Sequence, residues 1–162
     1  MDSVFEKFIA DAKTRGLCKE YTNKVNHAAS KKSFLDIALD ANGVPWLADA
    51  ICNGYGLSAE YIAKEFAAFN CGRYIREKDG YTSAIFCLPQ GHSLTIRATL
   101  TLVIGFDGTI VLPKDRPYEL HICNSTVDVT GDGNGVVYLY DSIIKNLADA
   151  PVIVKEDNRY GV

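Results

Sequence analysis

The run Thr130-Gly131-Asp132-Gly133-Asn134-Gly135, followed by Asp141, places oxygen-bearing side chains at the spacing of a calcium loop. Asp132, Asn134 and Gly135 fall at positions three, five and six of such a loop, and Asp141 at position twelve. Two features oppose a metal. Position one is Thr130 and position twelve lacks the bidentate glutamate that calcium loops carry. The flanking residues also alternate like strands rather than helices. A glycine-rich turn between two strands accounts for the run more simply, so the metal reading of Asp132, Asn134 and Asp141 is the minor one and no cofactor is expected.

Histidine and cysteine offer a second chemistry. His121 and Cys123 share one face of a strand, opposite Leu120 and Ile122, and Cys87 and His92 lie near each other in the chain. Together these residues could form a thiol–imidazole pair or a zinc site. Ligand spacing lends the zinc site little support, and polar surface residues are the simpler reading. The five cysteines are odd in number, widely spaced and contain no CxxC pair, which points to reduced thiols rather than a disulfide framework. Asp128 and Asp141 could serve as paired carboxylates of a glycosidase. Turn and surface positions are their commoner use. No P-loop, GxSxG, GxGxxG or HExxH pattern occurs.

The elements that must position these groups are strands. Leu94, Ile96, Ala98, Leu100, Leu102 and Ile104 alternate with polar residues, a period of two that predicts one long half-buried strand. Beyond it, Leu102–Leu112, Leu120–Thr130 and Val137–Leu147 align without gaps at offsets of 18 and 17. The expected inward columns are Leu102/Leu120/Val137, Ile104/Ile122/Leu139, Thr109/Val127/Ile144 and Val111/Val129/Asn146. Ten of these twelve positions are apolar, so a shared interior follows. Asp107/Ser125/Ser142 form the turn column. A repeat of this length suits one coil of a β-solenoid, whose coils bury a core only by stacking. An antiparallel sandwich is the alternative. In the solenoid, His121, Tyr138 and Tyr140 line an outward face. Tyrosine-bearing faces favour docking of a partner or a second copy, unless the helical half covers them.

Ahead of the strands, residues 1–72 read as helices. Ser3 and Glu6 form a capping box, and Phe5, Phe8, Ile9 and Ala12 follow at helical spacing over 4–15. A weaker helix is expected over 18–27, and a third carries Phe34, Leu35, Ile37, Ala38 and Leu39. Pro45 opens a helix through Ile51, and Ser58 caps another through Phe69. Asp79-Gly80 then signals a hairpin over 73–87. The expected fold is therefore α+β. An N-terminal helical bundle, 1–72, precedes a β subdomain, 73–162, with repeat-bearing strands over 94–155. A short solenoid is favoured there over a sandwich.

Bulk composition excludes some classes of function. With 48% hydrophobic and 23% charged residues, the chain can bury a core and is not disordered. Its net charge of −3 and its slight basic excess over residues 1–33 argue against a nucleic-acid partner. The apolar stretch from Leu94 to Phe106 is interrupted by Arg97 and falls short of the ~20 residues of a membrane helix. Asp2 and Glu6 stand where a signal peptide would be basic and then apolar, so a cytoplasmic location is expected.

Tyr138-Leu139-Tyr140-Asp141-Ser142 resembles the strand–turn units of uncharacterised bacterial and phage-type proteins that repeat a Val-x-x-Tyr-Asp/Gly-Asn/Ser pattern. The resemblance covers the last third of the chain. It implies a repetitive β architecture and a mobile-element origin, with no activity attached. The function expected from all this is a non-enzymatic protein–protein interaction module, structural or inhibitory, binding another protein or itself. The alternative is a hydrolase or carbohydrate-binding protein using a groove on the β half.

Overall fold

A computed structural model describes residues 43–53, 58–65, 71–78 and 81–156, together with Ala10, Thr14 and Asn23. The helices expected over 4–15, 18–27 and the thirties otherwise lie outside the described residues. Helix α1 spans Gly43–Asn53 and α2 spans Ala59–Glu65. Ser58 caps α2 as its side chain predicts, since its hydroxyl accepts from the Tyr61 N–H at 3.0 Å. Ten strands follow. They are β1 (Cys71–Lys78), β2 (Tyr81–Cys87), β3 (Ser93–Thr95), β4 (Leu100–Ile104), β5 (Asp107–Val111), β6 (Tyr118–Cys123), β7 (Thr126–Thr130), β8 (Gly135–Tyr140), β9 (Ile143–Asn146) and β10 (Val152–Glu156).

The strands build a two-sheet β-solenoid. One sheet has the order β1-β2-β4-β6-β8-β10 and the other β3-β5-β7-β9. Every pairing after β1–β2 is parallel, which replaces the antiparallel sandwich alternative. The hairpin is present, because β1 pairs antiparallel with β2 from Lys78↔Tyr81 to Cys71↔Phe86. Between the sheets Val103, Phe106, Ile110, Leu120, Ile122, Val127, Val129, Val137 and Leu139 form one dry interior. Burying side chains of this size contributes about 1.5–3 kcal/mol each.

Two expectations are corrected here. The single strand expected over 94–104 is two strands in two sheets. Burial alternates from Ser93 to Ala98 and then ceases, all five residues of β4 being buried. The chain turns a corner at residues 96–99, where the Ile96 N–H reaches the Val111 carbonyl at 2.9 Å and the Thr99 N–H reaches the Thr82 hydroxyl at 3.0 Å. The helical bundle expected over 1–72 is not seen among the described residues. Instead α1 lies over β4, β6 and β8, and α2 over β2, so both cover the outer face of the larger sheet. Val44, Leu47, Ala48, Ala50 and Ile51 of α1 and Ile62 of α2 are buried by this packing. Helices of this length need such tertiary support.

The register also differs from the ungapped repeat. Ser83 pairs with Leu100, Tyr118 with Gly135 and Gly135 with Val152, a coil of 17 residues in each case. Leu100 pairs with Glu119, a coil of 19. The extra pair of residues sits in the segment 112–117, which is six residues long where the equivalent 131–134 has four. Tyr118 pins this segment, its hydroxyl lying 2.6 Å from both the Pro113 carbonyl and an Asp115 carboxylate oxygen. That bond holds the Asp115 carboxyl below its usual range, while burial and the neighbouring carboxylate push the Tyr118 hydroxyl up to about 12.

Because side chains alternate with period two, a one-residue error in offset moves a whole strand to the other face. The column beside Ile122 and Leu139 is completed by Val103, not Ile104, and that beside Leu120 and Val137 by Thr101, not Leu102. On the smaller sheet Gly108 and Ile110, not Thr109 and Val111, stand beside Val127 and Val129. Leu102 and Ile104 instead neighbour His121 and Cys123 on the helix-covered face.

The turn column shifts in the same way. Leu88, Gly105, Asn124 and Asp141 each take a left-handed backbone, with φ of 48, 64, 50 and 48°. Next to them, the Phe106 N–H donates to the Ser125 hydroxyl at 2.9 Å and the Ser125 N–H to the Ser142 hydroxyl at 3.0 Å. The serines thus hold successive corners in line.

Candidate functional site

Three places bring chemistry-bearing residues together. The first is on the helix-covered face of β6 and β8. His121 is fully buried there; its Nδ1 lies 2.8 Å from the Tyr140 hydroxyl and its Nε2 3.1 Å from a Glu119 carboxylate oxygen. The Tyr138 ring stacks on His121 at 4.7 Å, and the Lys155 ammonium stands 6.0 Å from the Tyr138 ring centre. Parallel pairing brings this about, since His121↔Tyr138↔Lys155 is one column across β6, β8 and β10. Of the residues expected to dock a partner, His121 and Tyr140 are buried and only Tyr138 keeps partial exposure. The line from Glu119 through His121 to Tyr140 satisfies a buried imidazole on both nitrogens, which a buried polar group requires. Glu119 was not singled out from the sequence. Its i, i+2 spacing to His121 on one strand face was the available signal.

The second place is the thiol pair Cys52 and Cys123, whose Sγ atoms lie 3.0 Å apart between the last turn of α1 and the end of β6. Cys123 is buried, and its thiol is pushed up by the hydrogen bond with Cys52 and then by burial. Cys87 is buried beneath α2, with its Sγ 3.3 Å from the Ala59 carbonyl. Burial and then the charge of Glu60 push its thiol up to about 12. Neither thiol is therefore ionised near neutrality, and an ionised thiolate is what a nucleophile needs. His92 is exposed on the corner after β2, whereas Cys87 points under α2.

The third place is the C-terminal end of the solenoid. There the corner column ends in a hollow of about 580 Å³, lined by Asn124, Ser125, Asp141, Ser142, Ile143 and Glu156 among others. Beside it β9 and β10 end their sheets among the described residues. Ile143 and Ile153 are each 62% exposed and Val154 40%. Of the four large apolar side chains that are exposed among the described residues, these are three; Leu88 is the fourth.

The glycine-rich run turns between β7 and β8. Asp132 and Asn134 are exposed on that turn, while Asp141 follows the far end of β8, about 20 Å away for a six-residue strand. The three residues of the calcium reading do not converge, and no group of three metal-ligating side chains gathers among the described residues. The glycines have a packing cause instead. The Gly133 N–H donates to the Leu112 carbonyl at 2.8 Å, and the coil before it lies against the turn. Asp128 sits half-buried on β7 and Asp141 on the β8–β9 corner.

The described residues define a short two-sheet β-solenoid with α1 and α2 packed on one face. No protein-family model, curated protein or solved structure matches the chain. No helix among the described residues is long and apolar enough to cross a membrane.

Proposed function

We propose that this chain is a non-enzymatic protein–protein interaction module, and that its partner adds an extended segment along β10. The exposure of Ile143, Ile153 and Val154 at one end of the solenoid carries this reading. β10 is bonded to β8 on one side and is the last strand of its sheet among the described residues. An open strand edge offers unpaired N–H and C=O groups to another chain, and monomers that remain monomers blunt such edges with charge or proline. Here the edge presents Ile153 and Lys155 on the outer face and Val154 and Glu156 on the other. The fitting occupant places alternate apolar residues beside Ile153 and an acid beside Lys155 on that same face, with β-branched residues beside Val154 on the other.

The test uses a labelled ten-residue peptide of alternating valine and threonine with one central glutamate, and its twin with a central proline. Fluorescence anisotropy is expected to show saturable binding of the first. Ile153→Lys, or proline in the peptide, should weaken binding at least tenfold (about 1.4 kcal/mol). Ile153 is exposed, so the variant should keep its circular dichroism and melting temperature. Equal binding of the proline twin, or indifference to Ile153→Lys, would defeat the proposal. A concentration-dependent dimer in sedimentation that Ile153→Lys abolishes would assign the edge to a second copy instead.

A further inference from the structure

We infer that Cys52 and Cys123 are a redox modification site, a dithiol that closes to a disulfide and fastens α1 to the centre of the larger sheet. The two residues are 71 positions apart in the chain, yet the fold brings their sulfurs to 3.0 Å. A disulfide needs about 2.05 Å, so closure asks for roughly 1 Å of side-chain movement. The surroundings hold both sulfurs in place. Cys52 Sγ also approaches the Tyr140 carbonyl at 3.4 Å and the Asn124 side-chain oxygen at 3.5 Å, and Cys123 Sγ approaches the Ala48 carbonyl at 3.5 Å. Cys123 is fully buried while Cys52 is half-buried, so Cys52 is the thiol of the pair that a reagent meets first. Cys87 stands apart, two strands away beneath α2.

The order of events follows from exposure. With a low-molecular-weight disulfide as oxidant, Cys52 loses its proton to water and its thiolate attacks one sulfur of the reagent. A mixed disulfide forms on Cys52 and the first reagent thiolate leaves, taking up a proton. Capping Cys52 removes the thiol whose hydrogen bond raised the Cys123 thiol most, and Cys123 then gives up its proton to solvent and attacks Cys52 Sγ. The Cys52–Cys123 bond forms, and the second reagent thiol leaves. Two electrons pass from the cysteine pair to the reagent, which departs as two thiols. The bond would hold α1 over the His121–Tyr140 face and constrain the unfolded chain through a long loop, the situation in which a crosslink stabilises most.

The test uses the full chain, incubated with oxidised glutathione or with dithiothreitol. Peptide mapping without reductant is expected to show the Cys52 and Cys123 peptides joined after oxidation. The oxidised protein should melt about 5–10 °C above the reduced one, and dithiothreitol should reverse the rise. Cys52→Ser should abolish both the joined peptide and the rise while its reduced form melts within about 2 °C of the unaltered protein. Cys52 found only as its glutathione adduct, Cys52 joined to a different cysteine, or equal melting of the two forms would overturn the inference.

Discussion

Gly131→Ala is expected to destabilise the solenoid by about 2–6 kcal/mol, measured as a shift in the urea midpoint at unchanged slope. Two causes add. Gly131 has a φ of +104°, a region that side chains with a Cβ rarely enter, and such strain costs about 1–3 kcal/mol. A Cβ there would also collide with the Leu112 carbonyl of the preceding coil. The obstacle is backbone, so the two coils must part, and overpacking of that kind costs a further ~1–3 kcal/mol. Asp132→Ala, one residue along, should change stability by less than about 0.5 kcal/mol because its side chain is exposed. The pair of results would separate a packing role for the run from a metal-binding one, in which Asp132 would matter more than Gly131.

Ile122→Ala should cost about 3–5 kcal/mol on the same measurement. Ile122 is fully buried, belongs to the interior and lies between Val103 and Leu139 on neighbouring coils. Removing its side chain beyond Cβ leaves a cavity that the flanking strands cannot close, because each is held in parallel register on both sides. Loss of this size would leave many single domains unfolded, given their total stability of about 5–15 kcal/mol. A drop under 1 kcal/mol would place Ile122 outside the core.

The period-two alternation, the stacked strand–turn units and the polar corner residues made the solenoid legible, because they depend on local pattern. The corner at residues 96–99 was not, since neither glycine nor proline marks it and the apolar alternation runs straight through. The inward columns slipped by one because the coil from Leu100 carries two extra residues, in 112–117, which an ungapped comparison averages to 18. That slip also misplaced Leu102 and Ile104. His121 and Cys123 were correctly read onto one strand face. Their partners Glu119, Tyr140 and Cys52 depend on strand pairing and on where α1 lands, which composition and spacing do not reveal. The exposed end at β10 was likewise invisible, because exposure of Ile153 is a consequence of which strand comes last in the sheet.

The coil of 19 residues decides which side chains are dry and which face the helices, and one crosslinking measurement tests it. Thr109 and Asp128 are direct neighbours on the outer face of the smaller sheet, whereas Ile110 is buried inside. Paired parallel strands stand about 4.8 Å apart, within reach of a disulfide. Oxidation of the variant carrying Thr109→Cys and Asp128→Cys should join those two peptides in non-reducing mass spectrometry, and Ile110→Cys with Asp128→Cys should not join. The opposite outcome would restore an 18-residue coil, put Ile104 inside and overturn the placement of every site described above.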